Sequence, residues 1–163
     1  MINILKLKSP FIEKAIYESC KIKKLVVEKD EKEKGDRKIL NFGHTFAHAY
    51  EATLGFSKKL NHGEAVIFGI NNSIEFSKKQ NLINIKSYKF IKNHINKIPL
   101  NKSFKSLFKK KDINKIISFM KSDKKNSSKK INLILFKNFG KIKTDFQITE
   151  FSLKKFLNSQ LSN

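Results

Sequence analysis

The sequence predicts a mostly helical domain with a small β-hairpin near its C-terminal end, and three observations carry that prediction. Apolar residues recur at three- and four-residue spacing through most of the 163 residues, which is the signature of helices with one buried face. After the lysine-rich turn "SDKKNSSKK" the pattern changes to "INLILF", apolar on both faces as a buried strand would be. No internal repeat and no long linker divides the chain, so residues 1–163 are expected to form a single domain.

The elements follow in order. Phe11, Ile12, Ala15, Ile16, Ile22, Leu25 and Val26 predict a first helix with a lysine-rich outer face. Cys20, the sole cysteine, lies on it, is expected to pack, and excludes an internal disulfide framework. A charged stretch ending at Gly35 leads into a second helix, expected from Asp36 as N-cap to Leu54, with Gly55 as its stop. A polar loop precedes a third helix in "HGEAVIFGINNSIEFSKKQNLI". Further helices are expected at about 85–98, ended by Pro99, and at about 112–121. "INLILF" and "KIKTDF", joined by a glycine turn, read as a hairpin, and "TEFSLKKFLNSQL" as a closing helix.

The second helix has an unusual composition. Arg37, Asn41, His44, His48 and Glu51 are spaced so that a continuous helix puts them on one face. That spacing normally carries the apolar seam. Here it carries hydrogen-bonding and metal-binding groups, with Ile39, Leu40, Phe42, Phe46, Ala49, Tyr50 and Leu54 around them. A helix this apolar is expected to be buried with its polar stripe facing an internal cleft. Gly43, in mid-pattern, points to a close approach of another backbone or of a ligand. "NHGE" adds a third histidine, His62, after a loop short enough to fold it back. From spacing alone, His44, His48 and His62 are the first choice for three protein ligands of a zinc ion, with Glu64 close by. His94, on a lysine-rich helix, is expected to be structural or on the surface.

Charge is the loudest compositional feature, at a formal +21. Arg37 is the single arginine and the remaining cations are lysine, whereas surfaces that read phosphates or base edges draw on arginine's planar fork. The lysine excess, with abundant Asn, Ile and Phe, fits amino-acid usage shifted by an AT-rich coding background, so nucleic acid is not an expected partner and a basic nucleic-acid-binding domain is a remote alternative. No secretory signal is visible in "MINILKLKSPF", and no apolar run approaches the roughly 20 residues that cross a bilayer. A cytoplasmic protein without a membrane partner is expected.

Taken in order, "EKDEKEKGDRKILNFGHTFAHAYE", "LNHGEAVIFGI", "SDKK", "INLILF" and the following glycine turn closely resemble the C-terminal domain of 3-dehydroquinate synthase, the second enzyme of the shikimate pathway. The resemblance runs over nearly the whole chain and implies a helical metal- and substrate-binding domain. It also implies a lyase that turns 3-deoxy-arabino-heptulosonate 7-phosphate into 3-dehydroquinate and phosphate, using NAD and a divalent metal, usually zinc. By position, His44 and His62 match the two histidine ligands of the metal, and His48 matches the histidine that helps move a proton at the oxidised hydroxyl. Lys23, Arg37 and Asn41 match residues that hold the substrate's anionic and hydroxyl groups, and Glu33 matches an acidic site residue. The family's late lysine falls on Lys124 or Lys125.

The sequence departs from the family in two respects that matter. It has no glycine-rich phosphate loop after a strand, so the NAD-binding domain is expected to be absent from this chain. Nothing before Lys23 resembles the motif that carries the family's third metal ligand, a glutamate. The chain is therefore expected to be a C-terminal portion of a dehydroquinate synthase: a fragment, one half of a split gene, or a remnant. Alone it is expected to be inactive and to bind metal weakly unless Glu64 or Glu51 substitutes. Alanine at position 47, where the family usually has glycine, matters little. The resemblance implies as partners a sugar-phosphate substrate, a separate NAD-binding chain and, since family members are commonly dimers, a second copy. A related sugar-phosphate cyclase or a metal-dependent polyol dehydrogenase is the alternative within the same architecture.

Overall fold

The computed structural model describes residues 2–122 and 130–162. Lys124 and Lys125 lie outside them. The described elements are α1 (Ile2–Leu5), α2 (Phe11–Lys29), a 3₁₀ segment (Asp36–Asn41), α3 (His44–Thr53), α4 (His62–Lys79), α5 (Ile85–Ile95), α6 (Phe104–Leu107), a 3₁₀ turn (Lys110–Asp112), α7 (Ile113–Ser122), β1 (Ile131–Asn138), β2 (Lys141–Ile148) and α8 (Glu150–Ser162). The architecture is mostly helical with one antiparallel hairpin near the C-terminal end, as the sequence predicts.

The core forms around α3, which packs against α4 and α7, while α4 also supports β1 and α5, and α8 covers α7. Phe46 and Tyr50 from α3, Phe76 from α4, Ile116 and Met120 from α7, Leu133 from β1 and Phe156 from α8 meet in one buried cluster. A polar pair deep within it is matched: Asn72 Nδ2 donates to the Tyr50 hydroxyl at 2.5 Å, and burial pushes that hydroxyl's pKa up. A smaller cluster of Ile74, Ile83 and Phe136 closes the other side of α4.

Local chemistry sets several element ends. Asn61 and Glu64 form a capping box at the start of α4, the Asn61 N–H donating to Glu64 Oε2 at 3.1 Å. Asn84 caps α5 by accepting from the Ser87 N–H at 2.8 Å, and Thr149 Oγ1 accepts from the Ser152 N–H at 3.3 Å ahead of α8. The helix expected to run to Ile98 ends at Ile95, three residues before Ile98. Gly55, at φ +66, takes the left-handed position after α3 that the sequence assigns to it.

Two expectations are overturned. Asp36–Leu54 is not one helix: it is a 3₁₀ segment and an α-helix divided at Phe42–Gly43, where Gly43 adopts φ +83 and precedes α3. Asp36 is accordingly the first residue of the 3₁₀ segment rather than an α-helical N-cap. Cys20 does not pack; it is exposed, as is most of the apolar side of α2, none of whose residues is buried.

Candidate functional site

The break at Gly43 builds the site. Its carbonyl lies where a Cβ on Gly69 of α4 would have to sit, and a Cβ on Gly43 would be 2.6 Å from the Ile70 nitrogen. Two glycines thus let α3 and α4 touch backbone to backbone, and the positive φ at Gly43 is one that L side chains rarely adopt. The close approach expected at Gly43 is there, made by a neighbouring helix. It brings His44, which opens α3, beside His62, which opens α4.

Three imidazoles converge there. Ring centres are 5.5 Å apart for His44 and His48, 5.7 Å for His44 and His62, and 6.1 Å for His48 and His62. Two of the rings have their tautomer set by an oxygen that can only accept. His62 Nδ1 faces the Glu51 carboxylate at 3.1 and 3.2 Å, and His44 Nδ1 faces the Phe42 carbonyl at 3.4 Å. Both Nδ1 atoms therefore carry the proton, and each Nε2 keeps its lone pair in the neutral ring. Burial holds the His44 pKa below the usual imidazole value, helped by the neighbouring His48 and His62 and opposed by its contact with Phe42 O. Neutral imidazole is the form that binds metal.

Donor chemistry and spacing fit two ligands of a zinc-like cation. Imidazoles bound at about 2.0–2.1 Å in a tetrahedral shell hold their ring centres roughly 5 Å apart, close to the His44–His62 separation. Among the described residues, no group of three His, Cys, Asp or Glu side chains is arranged to hold a metal ion, so the three-histidine set suggested by spacing does not form one. Glu64 is occupied in the capping box and Glu51 stands behind His62 as its hydrogen-bond acceptor.

Around the histidines lie two clefts that share a wall. One, of about 420 Å³, brings together His44, His48, Asn41, Glu33, Lys38 and Asp145. The other, also about 410 Å³, is lined by Lys23 from α2, Arg37, Glu33, Asn41 and His44. Of the described residues that the sequence assigns to the site, all but His62 line one or both clefts, and His62 stands against His44 and His48. They do not share one helical face, since Arg37 and Asn41 precede the break and reach the clefts from the 3₁₀ segment. Asn41 Nδ2 donates to Glu33 Oε1 at 2.5 Å, and Arg37 Nη1 donates to the Glu31 carbonyl.

Asp30 organises this wall. Its carboxylate accepts from the backbone N–H of Lys34 at 2.9 Å, Gly35 at 2.8 Å and Arg37 at 3.0 Å. These bonds, those from Arg37 and Gly35 foremost, hold its pKa below the usual carboxylate value. The loop so folded places Glu33, itself at φ +53, against Asn41. The sequence marks Glu33 here through the family resemblance, but shows nothing of the part Asp30 plays in a stretch that reads only as charged. It also missed Lys38 and Asp145, whose side chains meet at 2.9 Å in the larger cleft. A lysine among many carries no signal, and Asp145 enters only through the pairing register of the hairpin.

Residues 1–126 match the family model described as "3-dehydroquinate synthase C-terminal". The chain belongs to this family. Among similar curated proteins, the 3-dehydroquinate synthase of Pelagibacter ubique (strain HTCC1062) is 52% identical over 160 residues, covering 98% of this chain and 44% of that protein. That of Endomicrobium trichonymphae is 42% identical over 127 residues, covering 77% and 34%. A Coxiella burnetii (strain Dugway 5J108-111) 3-dehydroquinate synthase is 36% identical over 151 residues, covering 91% and 41%. The chain thus spans less than half the length of these dehydroquinate synthases. No helix among the described residues is long and apolar enough to cross a membrane.

Proposed function

We propose that this chain supplies the metal- and substrate-binding half of a 3-dehydroquinate synthase, a lyase that releases phosphate from 3-deoxy-arabino-heptulosonate 7-phosphate and closes the carbocycle. The observation that carries the reading is the convergence of His44, His48 and His62 beside Arg37, Lys23, Asn41 and Glu33. The relatives' names support it.

In this reading His44 and His62 hold a zinc ion through Nε2, their Nδ1 protons fixed by Phe42 O and Glu51. When bound, the metal acts as a Lewis acid on a ring hydroxyl. The third protein ligand and the NAD site belong to residues outside these 163, on the same polypeptide or on a partner chain. Bound there, NAD would supply a hydride acceptor. His48, whose ring faces the open cleft, moves the proton at the hydroxyl being oxidised. Arg37 and Lys23 hold the substrate's anionic groups, arginine's fork suiting a carboxylate or phosphate. Asn41, braced by Glu33, hydrogen-bonds a substrate hydroxyl. The enzyme works in the cytoplasm and pairs with a second copy.

Zinc titration of the chain and of His44→Ala, followed by phosphate release in the presence of the N-terminal half of the Pelagibacter enzyme, tests this. Expected are zinc binding that His44→Ala and His62→Ala weaken, no phosphate release from the chain alone, and release when the other half, NAD and zinc are supplied. His48→Ala should then slow release by about 10²- to 10⁴-fold. Zinc binding indifferent to His44→Ala overturns the reading.

A further inference from the structure

The hairpin contains a register shift between Leu133, which pairs with Phe146, and Leu135, which pairs with Lys143. Ile134 therefore faces two residues, Thr144 and Asp145, and the bulge sends Asp145 into the left-handed region at φ +55. Bulges re-aim side chains, and a non-glycine residue is held at such a φ only where its surroundings impose it. Asp145 is re-aimed into the histidine cleft, where its Oδ2 accepts from Lys38 Nζ at 2.9 Å.

The position of this pair is informative. Lys38 and Asp145 line both the histidine cleft and a neighbouring groove of about 850 Å³, on whose walls stand Lys29, Lys34, Lys137 and Lys141. They occupy the junction between a basic groove and the candidate substrate cleft. The pair is also weak: the Lys38 side chain is 34% exposed and that of Asp145 58%, and ion pairs open to solvent contribute little. A clamp of that strength does not account for a strained bulge. A cation kept in place yet easily released does, because a phosphate offers more charge and more acceptor oxygens than one carboxylate.

We propose that Lys38 is an oxyanion-binding residue of the histidine cleft and that Asp145 is its resting partner, displaced when an anionic substrate group binds. The proposal rests on the cleft's being the substrate site. Its ligand is an oxyanion, whether the phosphate or the carboxylate end of the sugar acid.

The test is an NMR titration of the ¹⁵N-labelled chain with inorganic phosphate and, separately, with acetate, at fixed ionic strength. It compares the wild type with Lys38→Gln, Asp145→Asn and the double variant. Lys38→Gln should weaken binding about two- to five-fold, Asp145→Asn should strengthen it by a similar factor, and the double variant should match Lys38→Gln. A response to phosphate alone assigns the phosphate end; a response to acetate as well assigns any oxyanion. Weakening by Asp145→Asn would make the pair a clamp and overturn the proposal. So would indifference to Lys38→Gln, or the lack of any phosphate-induced shift at the cleft. Should either variant unfold, Lys38→Arg, which retains the cation, and Asp145→Ser take its place, with binding kept by the first and tightened by the second. Zinc affinity measured on the same samples separates the two readings. Zinc binding that needs His44 alongside phosphate binding that ignores Lys38 sinks this proposal alone. The reverse pattern sinks the synthase assignment and leaves the anion site standing.

Discussion

Helices α2 and α3 both wall the candidate site and are held in opposite ways. Helix α3 has ten residues and buries Phe46, Ala47, Ala49, Tyr50 and Thr53. Helix α2 has nineteen and buries none; Ile16, Ile22 and Leu25 are each more than half exposed. Their apolar periodicity is equally clear in the sequence. Periodicity therefore dictates that a helix forms and which side is apolar, but not whether anything in the chain covers that side. Lys23 stands on a helix with no buried residue, whereas His44 and His48 stand on one that buries half of its length. What fixes the end of α2 to the site is polar: the Asp30 carboxylate gathering three backbone N–H groups.

The contrast can be broken most sharply at the helix crossing. Gly69→Ala drives a methyl group into the Gly43 carbonyl, and a backbone clash in a packed core should cost about 3 kcal/mol or more, read as a lowered urea midpoint. Gly63, with open space around it, is the control: Gly63→Ala should leave stability unchanged or raise it. Phe76→Ala, in the same buried cluster, should cost about 3–5 kcal/mol. The equivalent truncation on the other helix, Ile22→Ala, should move stability by no more than about 0.5 kcal/mol. A large loss there would mean that α2 is anchored after all.

Acid provides a smaller and more local effect. Asp30's folded pKa lies below the usual 3.8, so its contribution is present above that pH and disappears as pH falls through the lower folded value. The amide signals of Gly35 and Arg37 should accordingly titrate with a midpoint below 3.8, ahead of any change in the α3 amides. Midpoints at or above 3.8 would remove Asp30 as the organiser of the loop. The least effect is expected from Lys121→Ala. Its pair with Glu150 spans 3.0 Å on the surface, and its loss should register within about 0.5 kcal/mol.

How much was legible before the structure depended on the range of the information. The glycine stop after α3, the hairpin and the closing helix are written in neighbouring residues, and the sequence shows them. The division at Phe42–Gly43 is not, because a glycine inside a helical pattern is equally consistent with a tight crossing inside one helix and with a break between two. Here the crossing requires the break. The site histidines were visible because few residue types carry that chemistry, and Arg37 because it is the lone arginine. Asp145 depends on a register shift set by strand pairing, and the exposure of α2 on what packs against it; neither is encoded locally.

The glycine contact between α3 and α4 has one more consequence. The separation of His44 and His62 is set where main chain rests on main chain, with no side chain between to act as a spacer. Exchange of Ile, Leu, Phe and Met elsewhere in the core can alter volumes there without lengthening or shortening that gauge. The interior can thus be repacked while the interval between the two candidate metal donors stays put.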